Sequence, residues 1–181
     1  MWYPARLPAP TVEPVTLAQA RLQCGITTPD DDQDAVLQMF ISSARAHCER
    51  RCGQMFGARD ITIACTAFAD FARLPLSPVN SVNAISYVDG AGADQTLDAG
   101  IYDVWIDGAE SSIALKSGEN WPANVPGSRI TVEASVGAVP DPDVMHAMLL
   151  FIDHSFNKRE WAKVDDWTTL DSLLCNHIWY A

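Results

Sequence analysis

The residues best suited to metal chemistry are Cys48 and Cys52, which a helix would place one turn apart, with a histidine directly before Cys48. Thiolate and imidazole ligands at short spacing are the usual start of a zinc site. The sequence has no Cys-x-x-Cys pair, however, and Cys65, His146 and His154 follow at no spacing typical of further ligands. We therefore expect no bound metal and interpret the cysteines as reduced, buried thiols.

A second candidate for chemistry is Asp153-His154-Ser155, which has the residue types of a hydrolytic triad. Neighbouring residues of a helix point in different directions, so these three cannot form a proton relay. The sequence has no Gly-x-Ser-x-Gly motif and no glycine-rich phosphate loop. The acidic run at 30–34 lacks the alternating ligands of a calcium loop. We predict no catalytic residue and no cofactor, and a hydrolase of unrecognised type is left as an alternative.

The net charge narrows the possible partners. Among 181 residues, 23 are Asp or Glu and 12 are Lys or Arg, which gives a formal net charge of −11. Such a surface repels phosphate groups, which argues against a protein that grips DNA or anionic lipid but not against one that surrounds DNA. No apolar run is long enough to span a bilayer, and the first residues lack the order of a signal peptide. We expect a protein made in the cytosol.

Helix signals occur towards both ends of the chain. Thr16 and Gln19 form a capping box for a short helix that stops at Gly25. The acidic run from Asp30 opens a longer helix that ends at Gly53. This second helix has a wide apolar stripe, so we expect it to be well buried. Its two adjacent apolar faces are Val36, Met39, Phe40 and Ser43, and Leu37, Ile41, Ala44 and Cys48.

Between these helices and a last one, the hydrophobic period changes from 3.6 to 2, which indicates strands. Asp89-Gly90 is a hairpin signal, and prolines near Asp143 open the last helix. The fold class is therefore α+β: a helical bundle with an inserted antiparallel β-sheet or small β-sandwich, and an extended C-terminal docking tail. The predicted strands cover residues 61–65, 82–88, 102–106, 112–115 and 129–136.

The sequence divides into three parts. The first is a proline-rich arm, which either drapes over a neighbouring subunit or is a frayed terminus. The second is a single domain of helices with a β insertion, and the third is a C-terminal segment. The boundaries are 1–15 for the arm, 16–160 for the domain (helices 16–53 and 141–160, β insertion 59–137) and 161–181 for the segment.

The C-terminal segment is too apolar for a solvated terminus. A short helix from Thr169 would place three leucines on one stripe, at the spacing of a helix that binds in a groove. We expect the segment to leave its parent core and to bind a partner. The candidate interface residues are Leu170, Leu173, Leu174, Ile178, Trp179 and Tyr180.

Aromatic residues support a second alternative. The chain has six tryptophans, a residue type favoured both as an interface anchor and in ordinary cores. Tyr87, Tyr102, Trp105 and Trp121 lie in or beside the predicted strands and could form a concave aromatic face. A β-rich carbohydrate- or protein-binding module is therefore left open.

Several short motifs follow one another between residues 15 and 174. The most specific is LPLSPVNSV (74–82), followed by ISYVD (85–89). The others are the helix opening at 14–20, the acidic start at 30–32, the charged helix end at 48–53, Trp121-Pro122, and the helix end at 154–160. In this order they resemble the phage head–tail connector proteins of the phiE125 gp8-like group, related to the gp6-like and gp15-like adaptors.

The resemblance implies a non-enzymatic virion protein, the head–tail adaptor. Copies would form a ring in the neck, usually of twelve subunits, joining the portal protein to the stopper or tail-completion protein. Genomic double-stranded DNA would pass through the lumen without sequence-specific binding, and no membrane or cofactor would be involved. From the apolar composition of the C-terminal segment we further expect it to dock on the portal, and we expect the free protein to be monomeric or weakly associated. The same implications hold for a phage-like gene transfer agent.

Overall fold

The chain folds into two units, each built from segments that are distant in sequence. The computed structural model describes residues 1–5, 7–27, 31–158 and 168–179. The β unit combines Met1–Pro10 with Ala58–Ala138, and the helical unit combines Thr11–Gly57 with Val139–Ala181. This grouping differs from the predicted three-part division, because segments from both ends of the chain pack into one or the other unit.

The helical unit begins with the predicted capping box. The Gln19 amide donates to Thr16 Oγ1 over 3.2 Å, and the Thr16 amide donates to Gln19 Oε1 over 2.8 Å. Each of the two residues thus accepts a hydrogen bond from the backbone amide of the other, and the short helix starts where the sequence places it. The α-helices within the described ranges are α1 (Leu17–Gln23), α2 (Asp31–Cys52), α3 (Pro142–Lys158) and α4 (Thr168–Leu174). A 3-10 turn follows at Cys175–His177, and another, Phe68–Ala72, lies in the β unit.

The core of the helical unit lies between α2 and α3. One of the two predicted apolar faces of α2 is buried there, and Leu37 and Ala44 are fully enclosed. The other face is not: Val36 and Met39 are 41% and 57% exposed. The expectation that α2 is well buried is therefore wrong for Val36 and Met39, whereas Phe40 of the same face packs half-buried against the core. Helix α3 contributes Val144, Ala147, Met148 and Ile152.

The β unit contains an antiparallel four-stranded sheet in the order β1-β6-β2-β3, and the separate hairpin β4-β5. The central strand β6 pairs with both β1 and β2, and its side chains alternate between buried and more exposed positions. The α+β class with an antiparallel sheet is thus confirmed. The strands are β1 (Arg59–Cys65), β2 (Val79–Val88), β3 (Asp94–Thr96), β4 (Tyr102–Asp107), β5 (Glu110–Leu115) and β6 (Ile130–Val136).

The turn predicted at Asp89-Gly90 joins β2 to β3. Asp89 Oδ1 accepts hydrogen bonds from the amides of Ala91 and Ala93, over 2.9 and 3.0 Å. These bonds close the loop and hold the pKa of the Asp89 carboxyl below its usual value. The short strand β3 was not predicted, because its three residues are all exposed and polar and have no apolar alternation.

The proline-rich arm is attached to the chain's own structure. The Tyr3 amide donates to the Ala64 carbonyl over 2.9 Å, which extends the sheet beyond the edge strand β1. The Trp2 indole donates to the backbone carbonyl of Arg73 over 3.0 Å. In the helical unit, Arg45 Nε binds the Glu13 carboxylate over 2.8 Å. At these points the described arm is bound to its own chain and is not frayed.

Candidate interaction surfaces

The C-terminal segment packs into the helical unit. Leu170 and Leu174 are 4% and 0% exposed and belong to the same core as α2 and α3, while Leu173 packs against it half-buried. The expectation that this segment leaves its parent core is therefore wrong for residues 168–179. The three leucines do share one helix side, as predicted, but the groove that receives them belongs to the chain itself.

Polar contacts fasten the segment to the end of α2. The Trp179 amide donates to the Cys52 carbonyl over 2.7 Å. The Gln54 side chain donates to the His177 carbonyl over 3.1 Å. An exposed ion pair, Arg51 Nε to Asp171 Oδ1, adds a third contact at 2.9 Å, which contributes little by itself because both side chains are half in solvent. The segment is held by its backbone as well as by its leucines.

The remaining predicted interface residues lie beyond α4. Ile178 and Trp179 are half-buried, and Tyr180 lies outside the described residues, as do Trp161 and Trp167. The His177 ring sits 3.4 Å from Asp141 and 3.8 Å from Asp143, at the start of α3. The segment thus touches both long helices of the unit.

The cysteines with candidate metal spacing are buried in the helical core. Burial raises the pKa of Cys48 to about 12 and that of Cys52 to about 11, so both thiols stay protonated at neutral pH. Burial also lowers the pKa of His47, whose ring lies 5.3 Å from that of Phe151. Among the residues the structure describes, no group of three His, Cys, Asp or Glu is placed to hold a metal ion.

The triad-like residues lie next to one another on α3. The Asp153 carboxylate accepts a hydrogen bond from the Asn157 side chain over 2.7 Å, one helical turn along. This is an ordinary contact between residues one turn apart on a helix. In a catalytic relay the carboxylate would accept a hydrogen bond from a histidine, whereas here its donor is Asn157. No observation at this position favours the hydrolase alternative.

The aromatic residues proposed for a binding face are distributed differently. Tyr102 is 7% exposed. Trp121 stacks on Phe68 with ring centroids 4.9 Å apart, and Tyr87 meets the edge of the same Phe68 ring at 5.9 Å. Trp105, by contrast, is 62% exposed. Tyr102 is buried, and Tyr87 and Trp121 each pack on Phe68 and are half-buried. Because the chain itself covers much of these three rings, they give no support to a carbohydrate-binding face.

Comparison with protein families gives a direct match. The model of phage gp6-like head–tail connector proteins matches residues 14–88. This chain resembles a head–tail connector. The matched range runs from the opening of α1 to the end of β2 and contains the motifs at 14–20, 30–32, 48–53 and 74–82, and all but the last residue of the motif at 85–89. The resemblance identified from those motifs is confirmed, through the related gp6-like group. No curated protein matches the sequence.

Solved structures share the fold over almost the whole chain. One is a protein from the neck of an empty gene transfer agent particle, computed with C6 symmetry. It is 21% identical in sequence, its TM-score is 0.79, and the match covers 100% of this chain and 96% of that one. One from the neck of a native particle, computed with C12 symmetry, is 23% identical, with a TM-score of 0.74 over 100% and 96%. A third, from the native virion, is 22% identical, with a TM-score of 0.76 over 97% and 94%.

The hairpin β4-β5 carries an exposed surface that was not predicted from the sequence. Trp105 lies on the same strand face as Asp103 and Asp107, and Glu110 pairs opposite Asp107. All four are exposed, and Ile106 at the other face of the tip is 46% exposed. We call these five residues the hairpin surface. The alternation Asp-x-Trp-x-Asp was a usable signal, because it places a tryptophan on a face of carboxylates.

A second missed surface runs along α2. It includes the exposed residues Val36 and Met39 and continues towards the end of the helix in steps of three or four residues, which places its members on one side of the helix. At its start, an apolar groove of about 380 Å³ is lined by Asp32, Gln33, Val36, Phe40 and Phe156. We call the following residues the α2 stripe: Val36, Met39, Phe40, Ser43, His47 and Arg50.

Proposed function

We propose that this chain is a structural, non-enzymatic adaptor in the neck of a tailed phage or a gene transfer agent particle. Its copies form a ring of twelve that joins the portal protein to the stopper or tail-completion protein. The observation that carries the proposal is the combination of a connector family match over 14–88 with a fold shared, along nearly the full chain, with proteins of gene transfer agent necks.

The charge of the chain suits a channel wall. A net charge of −11 is repeated in every copy, so the ring carries a strongly negative field. DNA phosphates are repelled by such a wall and do not adhere to it, which favours passage of double-stranded DNA without sequence-specific binding. No described helix is long and apolar enough to cross a membrane.

The C-terminal segment remains a proposed portal contact. Leu170 and Leu174 are enclosed by the chain's own helices, so in the folded subunit they cannot also fill a groove on the portal. A contact through this segment would use its end, from Ile178 to Tyr180, or would require the segment to leave the helical core.

A reconstitution experiment tests the adaptor role. DNA-filled heads are isolated from a producing strain that lacks this gene, and purified protein is added. We expect the protein, monomeric in dilute solution by light scattering, to bind these heads and to restore the joining of tails. Shells assembled without portal protein are the control and should bind none. Heads that join tails without the protein, or protein that binds both kinds of shell equally, would contradict the proposal.

A further inference from the structure

We infer that the hairpin surface of one copy binds the α2 stripe of the next copy in the ring. This inference rests on the proposed function, because a closed ring requires each subunit to present two different surfaces that fit each other. The two surfaces lie on different units of the chain. A contact between them therefore joins unlike surfaces, which is the head-to-tail arrangement of a ring. The sequence pattern points the same way, since it marks α2 for burial, yet Val36 and Met39 are exposed among the residues that the structure describes.

The shapes of the two surfaces are complementary. Trp105 projects from the hairpin with 62% of its surface in solvent, an arrangement typical of an interface anchor. The groove at the start of the α2 stripe is lined by Val36, Phe40 and Phe156, and its volume of about 380 Å³ can receive an aromatic ring. An indole seated there would contact two phenyl rings, a favourable arrangement for aromatic side chains.

The charges also match when the hairpin lies along the stripe. Arg50 is an exposed cation about 15 Å beyond Phe40 along the helix axis. Asp107 is about 7 Å beyond Trp105 along the strand. With Trp105 placed at Phe40, the remaining distance of about 8 Å is within the combined reach of an arginine and an aspartate side chain. Asp107 thus meets a cation at the far end of the same stripe, while Asp103 and Glu110 lie 3.8 and 3.1 Å from cations of their own chain, Lys116 and Arg73.

The area of the contact explains when it forms. Trp105 exposes on the order of 150 Å², well below the roughly 800 Å² per partner of a stable free interface. One such contact is weak, so dilute protein is monomeric, while many contacts around a ring reinforce one another. Self-association should therefore be visible in concentrated solutions of the purified protein alone, without portal or particle.

A charge exchange between copies tests the contact. Sedimentation velocity is measured up to about millimolar protein for the wild type, Trp105→Ser, Arg50→Glu and Asp107→Lys. We expect Trp105→Ser to weaken association roughly 30-fold, and each charge reversal to weaken it about tenfold. An equal mixture of Arg50→Glu with Asp107→Lys should recover the wild-type association, because in alternating order each hairpin again meets a stripe of opposite charge.

Two matched variants serve as controls. Leu22→Ser removes an exposed apolar side chain outside both surfaces, and Asp94→Lys makes the same charge change on the exposed strand β3. Both should associate like the wild type, and circular dichroism checks that every variant is folded. A wild type that stays monomeric throughout, an unaffected Trp105→Ser, or a mixture that does not recover would each overturn the inference. Since no portal or head is present, these results are independent of the reconstitution experiment, which tests the adaptor role itself.

Discussion

Gly53 illustrates at the residue scale how closely the C-terminal segment fits on the end of α2. Its backbone has φ of 67°, in the left-handed region that favours glycine. A Cβ atom at this position would lie 2.6 Å from the carbonyl oxygen of Trp179. The sequence predicted the glycine as a helix end, but the second requirement, room for a distant backbone, depends on packing and is invisible in a local pattern.

Substitution of Gly53 measures this fit. Gly53→Ala should lower the free energy of unfolding by about 1–2 kcal/mol for the left-handed backbone, and further for the collision with Trp179. Gly25→Ala is the matched control, because Gly25 has φ of 69° and a Cβ atom added there would meet no other atom within 4 Å. Urea unfolding compares the two variants. Equal losses for both would mean that the segment does not rest on Gly53 in solution.

Trp105 and Val36 show which exposed residues of the candidate surfaces can be predicted from the sequence. Its exposure follows from strand alternation with Asp103 and Asp107, so it could have been predicted from the sequence. The exposure of Val36 could not, because an apolar helix stripe looks the same whether its partner is another part of the chain or another subunit.

At the scale of elements, local signals located most of the structure. The capping box at Thr16 begins α1, Gly53 follows α2, and the turn at Asp89 joins two strands. These signals act within a few residues. The docking of α4 against α2 and α3 joins residues far apart in sequence, so its composition indicated that it is buried but not what buries it.

The role of α4 is measured by truncating one of its leucines. Leu174 is 0% exposed, so Leu174→Ala should lower the free energy of unfolding by about 2–5 kcal/mol. For the same reason, deletion of residues 168–181 should destabilise the helical unit, whereas a segment separate from the core would be dispensable. Leu22→Ala, at a residue 82% exposed, is the control and should change stability by less than about 0.5 kcal/mol. A Leu174→Ala variant as stable as this control would place α4 outside the core in solution.

At the scale of the whole molecule, we propose that the chain is a subunit that is stable alone and functional only in a ring. Each unit buries apolar side chains of its own, while Trp105, Val36 and Met39 remain exposed in the part of the chain that the structure describes. If each neighbour is held by one weak contact, as we infer, free copies stay apart, and a portal that gathers them at one site would let the contacts act together. The only sequence signals of such a contact are the alternation Asp-x-Trp-x-Asp in β4 and the apolar residues of the α2 stripe.

The central claim, that this chain occupies the neck ring, is tested most directly by electron cryo-microscopy of intact particles from a producing strain. The head–tail junction is reconstructed and the structure is fitted into its density. We predict a ring of copies between portal and tail, with the hairpin surface of each copy against the α2 stripe of its neighbour. A junction whose density does not accommodate this fold, in particles that contain the protein, would contradict the claim.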